Sequence, residues 1–392
     1  VPPIPNSHGE NYLGPLTGIR VVELAGRGPG PFAGMMLADM GAEMVRIDRP
    51  GVDVRRQVPD ARLELVSRGR RSVLVDLKHP EGAEVVLRLT DQADAIYEGF
   101  RPGVAERLGI GPEACLSRNP KLVYGRATGW GQDGPLADAA GHDINYIAVA
   151  GALEPIGRAG GPPAIPLNLV GDNAGGGMLL AFGLLCGILE ARQSGKGQVV
   201  DAAMVDGASL LMTLFHGRRL NGTWRDERGT NYIDSGAPFY EVYETSDRRY
   251  ISVGAIERKF HRELWTRIGL DPEELPEPAT RDDWPRLKAK LAATFRTRTR
   301  DEWTAILEGT DACFAPVLGL GEVAQHPHNV ARNNFVDVDG VRQPAPAPRF
   351  SRTTGRIAGP PPAPGEHSAE VLADWGFNAA EIERLKACGA VI

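Results

Sequence analysis

Hydrophobic residues in the first half of the chain recur as short β-type runs separated by stretches of helical spacing. Ile19, Val21, Val22 and Leu24 give residues 18–25 the bulk of a buried strand. A Gly/Pro loop follows at 26–31 (GRGPGP), then a helical stretch over 32–40 that Gly41 ends. Residues 43–48 (EMVRID) read as a second strand, which closes a βαβ unit. The alternation continues with strands at 72–76, 95–98 and 122–126, and helical spacing over 80–92 and from 104 to 108. Repeated β-α-β spacing predicts an α/β, doubly wound and mostly parallel sheet.

The texture changes near residue 220. Residues 221–229 are polar and turn-rich, and 239–244 with 250–254 flank TSDRR as a predicted hairpin. Helical stretches are expected at 256–270, 280–297 and 300–309, and a proline-rich crossing at 342–365. The last helical stretch spans 367–385. The expected domains are a large unit over 1–202, a linker over 203–232 and a small α+β unit over 233–330. A return linker and C-terminal segment over 331–392 would pack on the large unit.

Composition narrows the class. With 42% hydrophobic and 24% charged residues, the chain has ample apolar surface for packed cores and is not globally disordered. A net charge of −6 argues against a general nucleic-acid binder. The longest uncharged run, 173–189, is shorter than a membrane span and is expected to be a buried helix, with Cys186 as core packing. The N-terminal residues lack the pattern of a signal peptide. Four widely spaced cysteines indicate neither a disulfide framework nor a zinc site, and point to a reducing, cytoplasmic compartment.

Several segments carry candidate chemistry. The loop Gly28-Pro29-Gly30-Pro31-Phe32-Ala33 fits a dinucleotide fingerprint, with Asp48 as the acid about 20 residues on. Pro29 and Pro31, however, lack the N–H groups that would cradle a pyrophosphate, so a tight turn is favoured. Residues 46–78 hold nine basic and five acidic side chains, an island suited to a small polyanion or to a solvated surface. His142 is followed by Asp143, Asn145 and Tyr146, all able to hydrogen-bond. Asp172 stands where a helix N-cap belongs, so it can cap, and the adjacent backbone N–H groups can stabilise an oxyanion. Gly175–Gly177 would let another segment or a ligand approach the backbone. Glu257 ends the hairpin sequence GAIE and by itself signifies little. His326 and His328 lack further metal ligands. Met35, Met36 and Met212 are equally core residues or an apolar pocket wall.

Taken together, GIRVVELAGRGPGPFAGMMLADMGAEMVRIDRP (18–50), RSVLVDLK (71–78), EGFRPGVAERLGIG (98–111), GWGQDGPLADAAGHDINY (129–146), PLNLVGDNAGGG (166–177), GKGQVVDAAMVD (195–206), VGAIE (253–257) and PAPRFSRT (346–353) resemble the family III CoA-transferase superfamily, in its bacterial α-methylacyl-CoA racemase branch. The resemblance implies a Rossmann-like large domain with a smaller α+β domain, in an interlocked homodimer. It implies a coenzyme A thioester as substrate, no resident cofactor, and neither nucleic acid nor membrane as partner. By matching position, His142 and Asp172 would be the proton carriers. Asn168 would support the aspartate, and Glu257 the histidine, from the other subunit. Coenzyme A contacts would come from Arg49, Val75, Asp76, Leu77, Lys78, Glu98, Gly99, Phe100, Arg101, Arg107, Gly141, Asp143, Ile144, Asn145 and Tyr146. The expected reaction is epimerisation at C2 of a 2-methylacyl-CoA by two bases on opposite faces. A CoA-transferase with Asp172 as nucleophile, a dehydrogenase and a non-catalytic CoA-binding scaffold are the alternatives. Branched fatty acyl, sterol side-chain and arylpropionyl groups all suit this branch.

Overall fold

The β-type runs of the first half pair into a single sheet. In the computed structural model, which describes residues 14–51, 60–276 and 280–392, its strands are β1 (Arg20–Leu24), β2 (Glu43–Asp48), β3 (Arg71–Leu74), β4 (Ala95–Glu98), β5 (Val123–Arg126) and β6 (Val199–Asp201). All neighbours are parallel, in the order β3-β2-β1-β4-β5-β6. Val22 lies opposite Val45 on one side and Ile96 on the other, and all three are fully buried. Parallel strands need both faces covered, which is why these runs are continuous rather than alternating. β6 had no counterpart in the sequence reading.

The helices that cover the sheet are α1 (Pro29–Asp39), α2 (Gly82–Thr90), α3 (Val104–Arg107), α4 (Pro112–Arg118), α5 (Asp143–Val149) and α6 (Leu179–Ser194). α1 and α6 pack on one face through Leu37, Leu180 and Leu184, while Val85, Val86 and Leu89 of α2 pack on the other. α1 begins three residues before the predicted start, because Pro29 and Pro31 fit a first helical turn where N–H groups have no partner anyway. α6 continues a ten-residue π-helix, Leu169–Met178. α7 (Met204–Leu211) and α8 (Thr213–Leu220) follow.

The chain divides into two units. The larger holds the described residues up to Ala150, with Asn168–Leu210 and Ala331–Ile392; the smaller holds Gly151–Leu167 and Leu211–Val330. The expected boundary after 202 therefore differs at two places: 151–167 group with the smaller unit, and 203–210 with the larger. In the smaller unit β7 (Tyr240–Glu244) and β8 (Tyr250–Gly254) form the predicted hairpin, and β9 (Phe314–Pro316) adds a third strand. Their apolar face packs with Trp265 of α9 (Arg258–Arg267), Phe295 of α10 (Trp284–Phe295) and Trp303 of α11 (Arg300–Leu307).

α12 (Pro327–Ala331) leads back to the larger unit. The expected linker at 342–365 begins as a strand: β11 (Val341–Pro344) pairs antiparallel with β10 (Phe335–Val338). The single predicted C-terminal helix is two, α13 (Ser368–Asp374) and α14 (Ala379–Ala387). Gly376, at φ +85°, breaks them apart, a backbone state that side-chain-bearing residues rarely adopt.

The apolar run is only partly a buried helix. The continuous helix Leu169–Ser194 has a mean hydropathy of 1.7 in its most apolar window, half of which is buried. By length and composition it could cross a membrane. Its outer side carries Met178, Phe182, Cys186 and Leu189, all exposed, so Cys186 is a surface residue of this unit rather than core. Spacings of 4, 4 and 3 put those four on one helical stripe.

Candidate active site

A cleft of about 740 Å³ opens at the C-terminal edge of the parallel sheet, in the larger unit. The strand order reverses between β1 and β4, and the loops after those strands part there, leaving a crevice. Gly28 from the first loop and Phe100 and Arg101 from the second line it, together with Trp130, His142 and Asp172.

Asp172 sits in the first turn of the π-helix, and Asn168 occupies the N-cap position. The expected capping role for Asp172 is thereby replaced: its side chain faces the cleft. Asn168 Nδ2 donates to Asp172 Oδ2 at 3.2 Å. Burial pushes the Asp172 carboxyl above its ordinary pKa, and the nearby Asp143 carboxylate adds to this. The Asn168 hydrogen bond and the His142 ring act the other way. The backbone N–H of Asp172 donates to Asp143 Oδ2 at 2.6 Å, so the N–H expected to receive an oxyanion is already engaged. The glycines expected to admit a neighbour do so within the fold. A Cβ at Gly176 would stand 2.6 Å from Pro29, one at Gly177 2.9 Å from the Pro29 carbonyl oxygen, and one at Gly175 2.8 Å from the Ala208 nitrogen. At Gly28, with φ +74°, a Cβ would stand 3.5 Å from Asp172 Oδ1, so bare backbone walls the carboxylate.

His142 is exposed and extended just before α5. Its backbone N–H donates to Asn145 Oδ1 at 3.0 Å, which engages Asn145 in capping the helix. The polar residues after His142 thus separate. Tyr146 lines the cleft, its ring edge-on to Trp130 at 4.8 Å. Gly129 and Gly141 make room for that ring: a Cβ would meet it at 2.0 and 2.7 Å. Asp143 turns inward and is buried, whereas Ile144 points out, 37% exposed.

The basic segment is mostly internal scaffold. Arg46 pairs with Asp48, Arg68 with Asp39, Arg70 with Glu23, Arg71 with Glu43 and Arg62 with Asp60. Arg68 also donates to Gln343 and to the Pro344 carbonyl, clamping β11. Arg70 reaches the Pro31 carbonyl and Tyr97 donates to the Gly30 carbonyl at 3.2 Å, so the fingerprint loop is tied down from beneath. Arg55 and Arg56 lie outside the described residues. Arg49 stacks its guanidinium 5.2 Å from the centre of the Phe100 ring. The exposed arginines lining the cleft are Arg27 and Arg101. Sequence reasoning missed Arg27; its signal was its place inside GRGPGP, at the end of the first strand of a βαβ unit.

Other expected contacts lie apart. Val75 bridges to Val391, Asp76 accepts from the Lys78 backbone N–H at 2.9 Å, and Leu77 is in the core. None of residues 75–78 lines the cleft, nor do Arg107, Ile144 or Asn145. Arg107 folds against Gly103. Gly99, Gly141 and Tyr146 do line it. Glu98 is buried at the end of β4, accepts the Phe100 N–H, and is pushed by burial up to about 7. Met35, Met36 and Met212 are not in the wall; Met204 is. Glu257 lies in the smaller unit, at the N-cap position of α9.

An exposed imidazole and a half-buried carboxylate of raised pKa, on one cleft, can exchange protons with a group held between them. The profile of CoA-transferase family III matches residues 16–368. α-Methylacyl-CoA racemase of Mus musculus is 45% identical over 372 residues, spanning 94% of this chain and 96% of that protein. The Homo sapiens racemase is 44% identical over 382 residues, with the same coverage. Among solved structures, Rv3272 from Mycobacterium tuberculosis matches with TM-score 0.76 and 30% identity, covering 92% of this chain and 99% of that one.

Proposed function

The chain belongs to CoA-transferase family III, and from that membership we propose that it interconverts the (2R) and (2S) epimers of a 2-methylacyl-CoA thioester. The observation that carries this reading is His142 and Asp172 on one cleft, with Asp172 held above the ordinary carboxylate pKa. Two groups that trade one proton must start in opposite protonation states, and unlike environments achieve that. His142 serves the S-face and Asp172 the R-face. One removes the C2 proton, the C–H electron pair moves into the thioester as an enolate, and the conjugate acid of the other returns a proton to the opposite face. Asn168 orients Asp172, and Glu257 of a second subunit supports His142.

Arg27, Arg101 and Phe100 fit the task of gripping the coenzyme A portion, since an arginine meets phosphate with two donors. Proton transfer between side chains needs no resident cofactor; coenzyme A enters as part of the substrate. The exposed stripe of Met178, Phe182, Cys186 and Leu189 supports a homodimer that covers it. Free cysteines suit a reducing compartment such as the cytoplasm.

The alternative, a CoA-transferase, would use Asp172 as a nucleophile and form an acyl-aspartyl anhydride. Incubation of a 2-methylacyl-CoA in deuterated water, without an acceptor acid, separates the two. Deuterium at C2 with both epimers formed is expected. No wash-in, with CoA exchange once an acid is added, selects the transferase.

A further inference from the structure

Two-base chemistry needs a fixed gap between its bases, and the chain itself does not fix this one. Between α5 and Asn168 it leaves the larger unit, and residues 151–167 belong to the smaller. What joins the two arms is the residue after His142. Asp143 is 6% exposed, and its Oδ2 accepts the backbone N–H of Asp172 across 29 positions of sequence. Gly171 permits the approach: a Cβ there would stand 2.5 Å from Asp143 Oδ2 and 3.2 Å from Ile147.

The other oxygen, Oδ1, is buried without a hydrogen-bond partner among the described residues. A half-satisfied buried carboxylate is costly. An asparagine would accept the same N–H at less cost, so what the carboxylate adds at this place is its charge. That charge lies beside Asp172.

We propose that the Asp143 side chain is a positioning group: it ties the His142 arm to the Asp172 arm, sets the gap between them, and tunes Asp172 by its charge. The purpose of the gap rests on the racemase reading; the tuning does not. The groups acting on Asp172 are His142, Asp143 and Tyr146 from the α5 side and Asn168 from its own helix, and Arg27, Glu64 and Arg101 line the same cleft. Of the two acids, Asp143 and Glu64, Asp143 is the one that holds the Asp172 backbone N–H.

Two variants test the inference in the full-length protein. Asp143→Asn keeps shape and acceptor but drops the charge. Removing that repulsion lowers the proton affinity of Asp172, so its carboxyl, followed by NMR of 13C-labelled aspartate and assigned with Asp172→Asn, should titrate at lower pH than in wild type. The acid limb of C2 exchange should move the same way. Gly171→Ala leaves both carboxyls in place chemically but pushes Asp143 off the Asp172 backbone. It should lower kcat by about 10–100-fold with KM within about twofold, as a displacement near 1 Å can, assayed well below the melting temperature of the variant, which overpacking lowers. An unmoved Asp172 titration in Asp143→Asn overturns the inference, as does wild-type kcat in Gly171→Ala. If the titration moves while wild-type protein shows no C2 exchange, the racemase reading falls and the tuning stands.

Discussion

The fold treats the arginines between 46 and 71 and the polar side chains of His142, Asp143 and Asp172 oppositely. In the first region Arg46, Arg68 and Arg70 are buried and paired with Asp48, Asp39 and Glu23. In the second, His142 is exposed, Asp172 is held at raised pKa, and Asp143 keeps one oxygen without a partner among the described residues. Paired charges brace the strands, α1 and the loop beneath them; incompletely paired ones are available for chemistry. A cluster of charges in the sequence does not by itself mark a site; the destination of each hydrogen bond does.

The contrast breaks first if the second region is inert. His142→Ala and Asp172→Ala should each lower C2 deuterium wash-in by about 10²–10⁴-fold, with little change in melting temperature. A variant that keeps most of the wild-type rate would remove that residue from the proton path.

Scaffold residues should fail in the other way. Arg70→Met leaves Glu23 buried and unpaired beneath the fingerprint loop, at a cost of about 3–5 kcal/mol. A urea midpoint within error of wild type would show that the pair does not hold the loop.

Glu98 stands between the two classes, being buried like scaffold and titrating near neutrality. Burial raises its pKa from the ordinary 4.5 to about 7 against the pull of the Phe100 N–H and Arg126. Between those values the folded state keeps a proton that the unfolded chain releases, so stability falls as pH rises through that window and levels off above about 7. Glu98→Gln should remove this slope, at most about 3 kcal/mol over the window. Parallel stability curves for wild type and variant from pH 4.5 to 8 would contradict it.

The smallest effect belongs to Arg62, whose pair with Asp60 is largely exposed. Arg62→Ala should leave both the urea midpoint and the KM for the thioester unchanged. A raised KM would return this arginine to the substrate.

Much of the fold was legible where one signal dominated. β2 and β4 match their predicted bounds, since a short segment between a helix end and a turn leaves little choice. β6 was not legible: its three residues, VVD, follow a glycine-rich turn and need Tyr124 of β5 to define them. Nor was the π-helix, because GDNAGGG reads as a cap followed by a flexible stretch until α1 packs against it. Within the site, His142 and Asp172 stood out through motif and resemblance together. The role of Asp143 could not, since residue type says nothing about which way a side chain turns. The basic island misled because partners such as Asp39 and Glu23 lie well outside the segment.

From Leu169 to Ser194 the chain forms one unbroken helix, with the half-buried acid near its first turn and the greasy stripe along its far length. Whatever seats against Phe182 and Leu189 therefore rests on the same length of backbone that holds Asp172 at its other end.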